Sequence, residues 1–160
     1  MKLLFRQRAF AFFSSYDVYN EAEEMLFTVK GKFSWGQKFQ IYDANGVEIG
    51  MIMSKLFSLR TCYEIFRGNA YEGYGQIGEI KFRPSLTKTR YDVNFNGWQV
   101  EGDLFAWEFV VKDRNNIPIA TISKELFEFT DTYSVEVDDS QNLFELIAVI
   151  LIADLSRDRR

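Results

Sequence analysis

Four cations sit in one stretch, Glu79 to Asn94, that reads as a hairpin. With Phe82 facing inward, strand alternation turns Lys81 and Arg83 outward. With Tyr91, Val93 and Phe95 inward, Lys88 and Arg90 point outward too. Pairing of the two strands gathers all four on one outer patch. Such a patch can hold an inositol phosphate or an anionic lipid headgroup. The same pattern also describes a solvated sheet face whose edge cations discourage aggregation.

The remaining reactive residue types are sparse. The chain has no His, which removes the commonest general base and the commonest transition-metal ligand. Its single Cys permits neither an internal disulfide nor a thiolate zinc cluster. Cys62 stands beside Tyr63 with no His to activate it, so it reads as a packing residue. Trp35, Trp98 and Trp107 either line a groove or pack in core and bends. Glu145 lies in a very apolar stretch and must find a partner or a proton. Near a helix start it can reach back to the Asp139 or Ser140 backbone as a capping box does. The alternative is a position at a barrel mouth, facing water or a ligand. Gly68 to Gly75 is rich in glycine, but no Gly-Lys-Ser/Thr ending follows it, so it is a connection and not a phosphate loop. No residue is assigned as catalytic, as a metal ligand or as binding a cofactor.

Positioning falls to a series of short strands. Lys2 to Gln7, Tyr16 to Asn20, Met25 to Lys30, Lys38 to Tyr42 and Val47 to Met53 alternate as strands do. Glu21 to Glu24 is an acidic turn, and Gly31 and Gly36 bracket a bend around Trp35. Further strands are expected at Leu59 to Arg67, Gln76 to Phe82, Lys88 to Phe95, Trp98 to Glu101, Trp107 to Lys112, Ile117 to Lys124 and Tyr133 to Val137. Pro84-Ser85 and Asn96-Gly97 supply turns between them. The 160 residues are expected to form one domain, with 17% aromatics favouring strands and a large core.

Shifted by 70 positions, the chain matches itself. Phe39, Asp43, Asn45, Ile49, Ile52, Leu56, Phe57 and Tyr63 meet Phe109, Asp113, Asn115, Ile119, Ile122, Leu126, Phe127 and Tyr133. Asp43 and Asp113 are therefore equivalent turn residues that cap backbone, not a catalytic pair.

After the strands comes QNLFELIAVILIADL, Gln141 to Leu155. Leu143, Phe144, Leu146, Ile147, Ile150, Leu151 and Ile152 cover every side of a helical wheel. A helix apolar all round is a membrane span or the centre of a fold. A span needs about 20 residues, and this run is shorter. Asp138, Asp139 and Ser140 are N-cap candidates, and Arg157, Arg159 and Arg160 are expected past the other end. A dozen twisted antiparallel strands tend to close, and closure leaves room inside for such a helix. The expected fold is mainly β, with one helix: a closed antiparallel β-barrel of about twelve strands around a central hydrophobic C-terminal helix.

Val29 to Ile52, VKGKFSWGQKFQIYDANGVEIGMI, Ile119 to Val137, IATISKELFEFTDTYSVEV, and the apolar helix together resemble the LURP-one-related family. That group shares the Tubby C-terminal and phospholipid-scramblase-like fold. The resemblance implies a twelve-stranded barrel around a hydrophobic helix. It also implies relatives that bind phosphoinositides or act at membranes, plant members linked to defence, and bacterial members of unknown biochemical function.

The net charge of -4 argues against nucleic acid. Arg6 and Arg8 interrupt the apolar N-terminal run, so no signal-peptide core is expected. The expectation is a monomeric, cytoplasmic, non-enzymatic binding module without cofactor, peripheral at a membrane through an anionic lipid or engaged with a protein partner. The alternative is a small-ligand carrier or enzyme with a pocket at the barrel end.

Overall fold

A computed structural model of the chain describes residues 1–8, 15–32, 34–83, 88–103, 108–123, 132–138 and 142–157. Twelve strands precede one helix. They are β1 (Lys2–Gln7), β2 (Ser15–Tyr19), β3 (Met25–Lys32), β4 (Lys38–Asp43), β5 (Glu48–Ser54), β6 (Cys62–Asn69), β7 (Gly73–Arg83), β8 (Lys88–Val93), β9 (Gln99–Asp103), β10 (Glu108–Lys112), β11 (Pro118–Ser123) and β12 (Thr132–Val137). The helix is α1 (Leu143–Arg157). Each strand pairs antiparallel with its sequence neighbours, and β1 pairs with β12 to close the barrel. Closure pairs the first strand with the last, so neither is left as a terminal edge that could recruit another chain.

Alternation decides what faces inward. On β1, Leu3 and Phe5 are buried, and on β4 Phe39 and Ile41. These meet Phe144, Leu146, Ile147, Ile150 and Leu151 of α1, which is buried on every side. The helix thus fills the space that twelve strands enclose. Buried with it is Asp154, whose carboxylate accepts a hydrogen bond from the Tyr16 hydroxyl at 3.0 Å. The hydrogen bond gives this buried polar group a partner inside the core.

The two units matched in sequence also match in register. Phe39 faces Ile52 as Phe109 faces Ile122, and Ile41 faces Gly50 as Val111 faces Ala120. Ile52 faces Ile65 as Ile122 faces Val135. A bulge follows Ile41 and another follows Val111. In each turn one Asp oxygen accepts from two backbone N–H groups. Asp43 takes Asn45 and Val47 at 2.9 and 3.0 Å, and Asp113 takes Asn115 and Ile117 at 2.8 and 3.0 Å. The units β4–β6 and β10–β12 stand six strands apart, on opposite sides of the ring.

Several expected boundaries move. Gly68 to Gly75 is not a long connection: β6 runs on to Asn69 and β7 begins at Gly73. Gly68 and Gly73 carry φ of +125° and +93° and let the hairpin reverse tightly. Residues 59–61 precede β6 instead of belonging to it. The helix is capped by Asn142, whose side-chain oxygen accepts from Phe144 N at 3.1 Å and whose carbonyl accepts from Leu146 N. Asp138 instead donates its backbone N–H to Ile119, beside β11. Arg157 is the last residue of α1 rather than beyond it. Asp139, Ser140, Arg159, Arg160, Lys124, Trp107 and Pro84-Ser85 lie outside the described residues.

Candidate functional site

Strand direction sorts the connections. The β2–β3, β4–β5, β6–β7, β8–β9 and β10–β11 turns share one mouth with the start of α1, and the β3–β4 and β5–β6 connections lie on the opposite rim. At the helix mouth, Glu145 is half-buried and accepts the Asn96 side-chain amide at 2.8 Å. The carboxylate therefore sits at the barrel mouth. Beside it, the Arg67 guanidinium lies 4.6 Å from the centre of the Phe144 ring and donates to Asn142 at 2.8 Å. These contacts hold the first turn of the helix in the mouth.

The expected basic patch sits on the outer wall, on β7 and β8, toward the opposite rim. Lys81, Arg83 and Arg90 are exposed there, and Arg83 faces Arg90 across the ladder. Lys88 opens β8 opposite Asp103 of β9; its side chain lies outside the described residues. Carboxylates interleave with the cations. Arg83 pairs with Asp92 at 2.9 Å, and Arg90 approaches Glu101 at 3.8 Å, which Lys112 shares at 3.8 Å. Exposed pairs of this kind contribute about 0–1 kcal/mol and exchange readily for another anion. Alternation disclosed the outward face but not these cross-strand acids.

Cys62 is buried at the start of β6, with its thiol 3.8 Å from a Glu79 carboxylate oxygen. Burial, followed by the negative charge of Glu79, pushes the thiol above its ordinary range. Lys55 holds the other Glu79 oxygen at 3.0 Å and keeps that carboxylate below the usual range. The thiol is therefore protonated at neutral pH and is a poor nucleophile. Native protein should react with iodoacetamide only as fast as unfolding exposes Cys62, with labelling accelerating through the denaturant transition. Rapid labelling of the native state would contradict this. Because the thiol is raised on folding, it also subtracts stability as pH rises beyond the ordinary thiol range, where the unfolded chain ionises first.

The rim beyond this wall was not legible from composition. Trp35 is 90% exposed, and Phe57 and Leu59 are wholly so, with Leu56 half-exposed beside them. Trp35 therefore neither packs in a bend nor lines a groove, whereas Trp98 is a core residue packed against Phe95. The two connections that carry these side chains are laced together. Gln37 N donates to Ser54 Oγ at 2.8 Å, Ser54 N donates to the Gln37 carbonyl at 2.8 Å, and Tyr63 donates to Gln37 Oε1 at 2.6 Å. A Cβ on Gly36 would come within 2.6 Å of Ser54 Oγ, so only glycine permits the close approach. Phe57 is held at a φ of 62°, which an L-residue adopts at a cost of about 1–2 kcal/mol. Lys32 and Arg60 are exposed next to these apolar tips.

Comparison with known proteins gives consistent results. A sequence model of the LURP-one-related family matches residues 1–154. The uncharacterized protein YxjI of Bacillus subtilis (strain 168) is 26% identical over 156 residues, spanning 97% of this chain and 93% of that protein. An X-ray structure of a protein from Arabidopsis thaliana superposes with a TM-score of 0.68 at 16% identity, over 96% of this chain and 90% of that one. This last likeness is one of fold. Among the described residues no helix is long and apolar enough to cross a membrane.

Proposed function

The chain belongs to the LURP-one-related family, and from that premise we propose that it is a non-enzymatic module that docks on an anionic membrane surface through the rim bearing Trp35, Phe57 and Leu59. The observation that carries this reading is the exposure of three large apolar side chains on connections that hydrogen-bond to each other through Gln37 and Ser54. Exposed apolar tips flanked by cations suit the headgroup layer of an anionic leaflet. Lys32 and Arg60 flank the tips, and Lys81, Arg83 and Arg90 stand on the adjoining wall. Juxtamembrane cations contribute about 1 kcal/mol each near an anionic leaflet. The β5–β6 connection and this wall are tied directly, since Phe82 N donates to the Thr61 carbonyl at 2.9 Å. The same reading makes the protein a peripheral cytoplasmic monomer. We read the matched units β4–β6 and β10–β12 as two copies of one ancestral unit.

Co-sedimentation with vesicles tests the proposal. Wild type should bind phosphatidylcholine vesicles containing phosphatidylserine far better than phosphatidylcholine alone, and binding should weaken as salt rises. A Trp35→Ser, Phe57→Ser, Leu59→Ser variant should lose about tenfold or more in affinity. Gln at Lys81, Arg83 and Arg90 should flatten the salt dependence. Undiminished binding by the rim variant, or no vesicle binding by wild type, defeats the proposal.

A further inference from the structure

The mouth opposite that rim carries a second feature. The last register pair between β5 and β6 is Gly50 with Arg67, but β6 and β7 continue through Gly68–Tyr74 and Asn69–Gly73. The hairpin tip therefore overhangs the outer side of β4 and β5. Between them lies a cleft of about 550 Å³, a size typical of small-molecule sites. Gln40, Tyr42 and Glu48 line it from the wall, and Asn69, Tyr71 and Glu72 from the tip. The tip is fixed in advance. Asn69 Oδ1 accepts from Tyr71 N at 3.0 Å and Glu72 N at 2.9 Å, and a Cβ on Gly68 would fall 2.0 Å from the Gly73 carbonyl oxygen.

The polar groups are ordered around one charge. Tyr42 donates to Gln40 Oε1 at 3.0 Å, which turns the Gln40 amide nitrogen toward Glu48. That nitrogen and the Tyr74 hydroxyl each donate to one Glu48 oxygen. Glu48 is thus held by neutral donors, and among the described residues it forms no ion pair. Glu72 adds a second carboxylate, with the Asn69 amide as its donor at 3.5 Å. The pKa of the Tyr42 phenol is raised by burial and then by Glu48, and that of Tyr74 by its hydrogen bond to Glu48. The Tyr42 ring already accepts an ammonium, since Lys30 Nζ stands 4.9 Å from its centre.

We infer that this cleft binds an organic ammonium group, carried either by a free alkyl amine or by a lysine side chain of a peptide. Glu48 and Glu72 supply the charge, and Tyr42 and Tyr71 the aromatic surface that attracts a cation with an apolar stem. A bare metal ion fits less well, because among the described residues no group of three or more carboxylates or other metal-binding side chains comes together. Isothermal titration of the full chain with putrescine and with Nα-acetyl-lysine amide tests this, with uncharged 1,4-butanediol as the control. Saturable binding of the amines and none of the diol is expected. Glu48→Gln should weaken binding about tenfold. Tyr71→Ala, at a side chain wholly exposed and so dispensable for folding, should weaken it about threefold. Glu108→Gln removes the same charge from the far wall and should change nothing. A preference for putrescine identifies a free amine as the source, and a preference for the lysine derivative identifies a peptide. Absence of saturable binding by either amine, or an equal loss in Glu108→Gln, overturns the inference.

Discussion

Removing residues 140–160 should abolish cooperative unfolding and leave a chain that aggregates. The physical reason is where the apolar surface goes. Phe144, Leu146, Ile147, Ile150, Leu151 and Ile152 are all buried inside the ring. With Leu143 packed against them, large side chains of this kind contribute about 1.5–3 kcal/mol each, on the order of 10–20 kcal/mol in total. Domain stability is only about 5–15 kcal/mol. The loss also uncovers Leu3, Val18, Ile41, Ile65 and Val135, whose inward faces then have only water to meet. Circular dichroism through a thermal ramp is the measurement. A soluble truncation that melts in a single sharp transition would show that the strands close without the helix.

A single methyl group at Gly50 should have a large effect, because it meets both the helix and the neighbouring strand. A Cβ there would lie 2.2 Å from Phe144 Cζ and 2.6 Å from the Phe66 carbonyl oxygen. The ring can move, but the carbonyl belongs to the paired strand and cannot move without breaking the ladder. Moving the ring also costs the Arg67 contact above it, 4.6 Å away. Gly50→Ala should therefore destabilise by about 1–3 kcal/mol, and Gly50→Val by more. Phe144→Ala alone should cost about 3–5 kcal/mol. The double variant Gly50→Ala, Phe144→Ala should cost clearly less than the two added, because the new methyl enters space the ring has left. Urea midpoints with an unchanged denaturant slope give these values. Strict additivity would mean that the glycine and the ring do not meet.

These expectations rest on elements of unequal legibility. The helix could be read because nothing except burial explains apolar residues on all sides of a wheel. The turns at Asp43 and Asp113 could be read because an Asp oxygen satisfying two backbone donors is local chemistry. Alternation likewise placed Lys81, Arg83 and Arg90 outward. It could not show that Asp92 and Glu101 stand among them, because cross-strand neighbours depend on register and not on sequence spacing. The cap fell to Asn142 rather than Asp138, because Asp, Asn and Ser cap with similar preference and chain geometry decides among them. Glycines at 68 and 73 read as breakers, yet they continue the ladder into an overhang, so the cleft at Glu48 had no signature of its own. Asp154 followed an apolar run and its burial against Tyr16 was likewise invisible, since the partner is 138 residues away.

Closure of the ring between β1 and β12 has a consequence for biosynthesis. During translation β1 emerges long before β12 and has only β2 to pair with until β12 has been made. The helix emerges after every strand, so a nascent sheet waits with its greasy side uncovered. Such long-range topologies fold slowly and are prone to association before completion. Expression yield should therefore respond to chaperone supply and to growth temperature more strongly than the stability of the finished protein suggests.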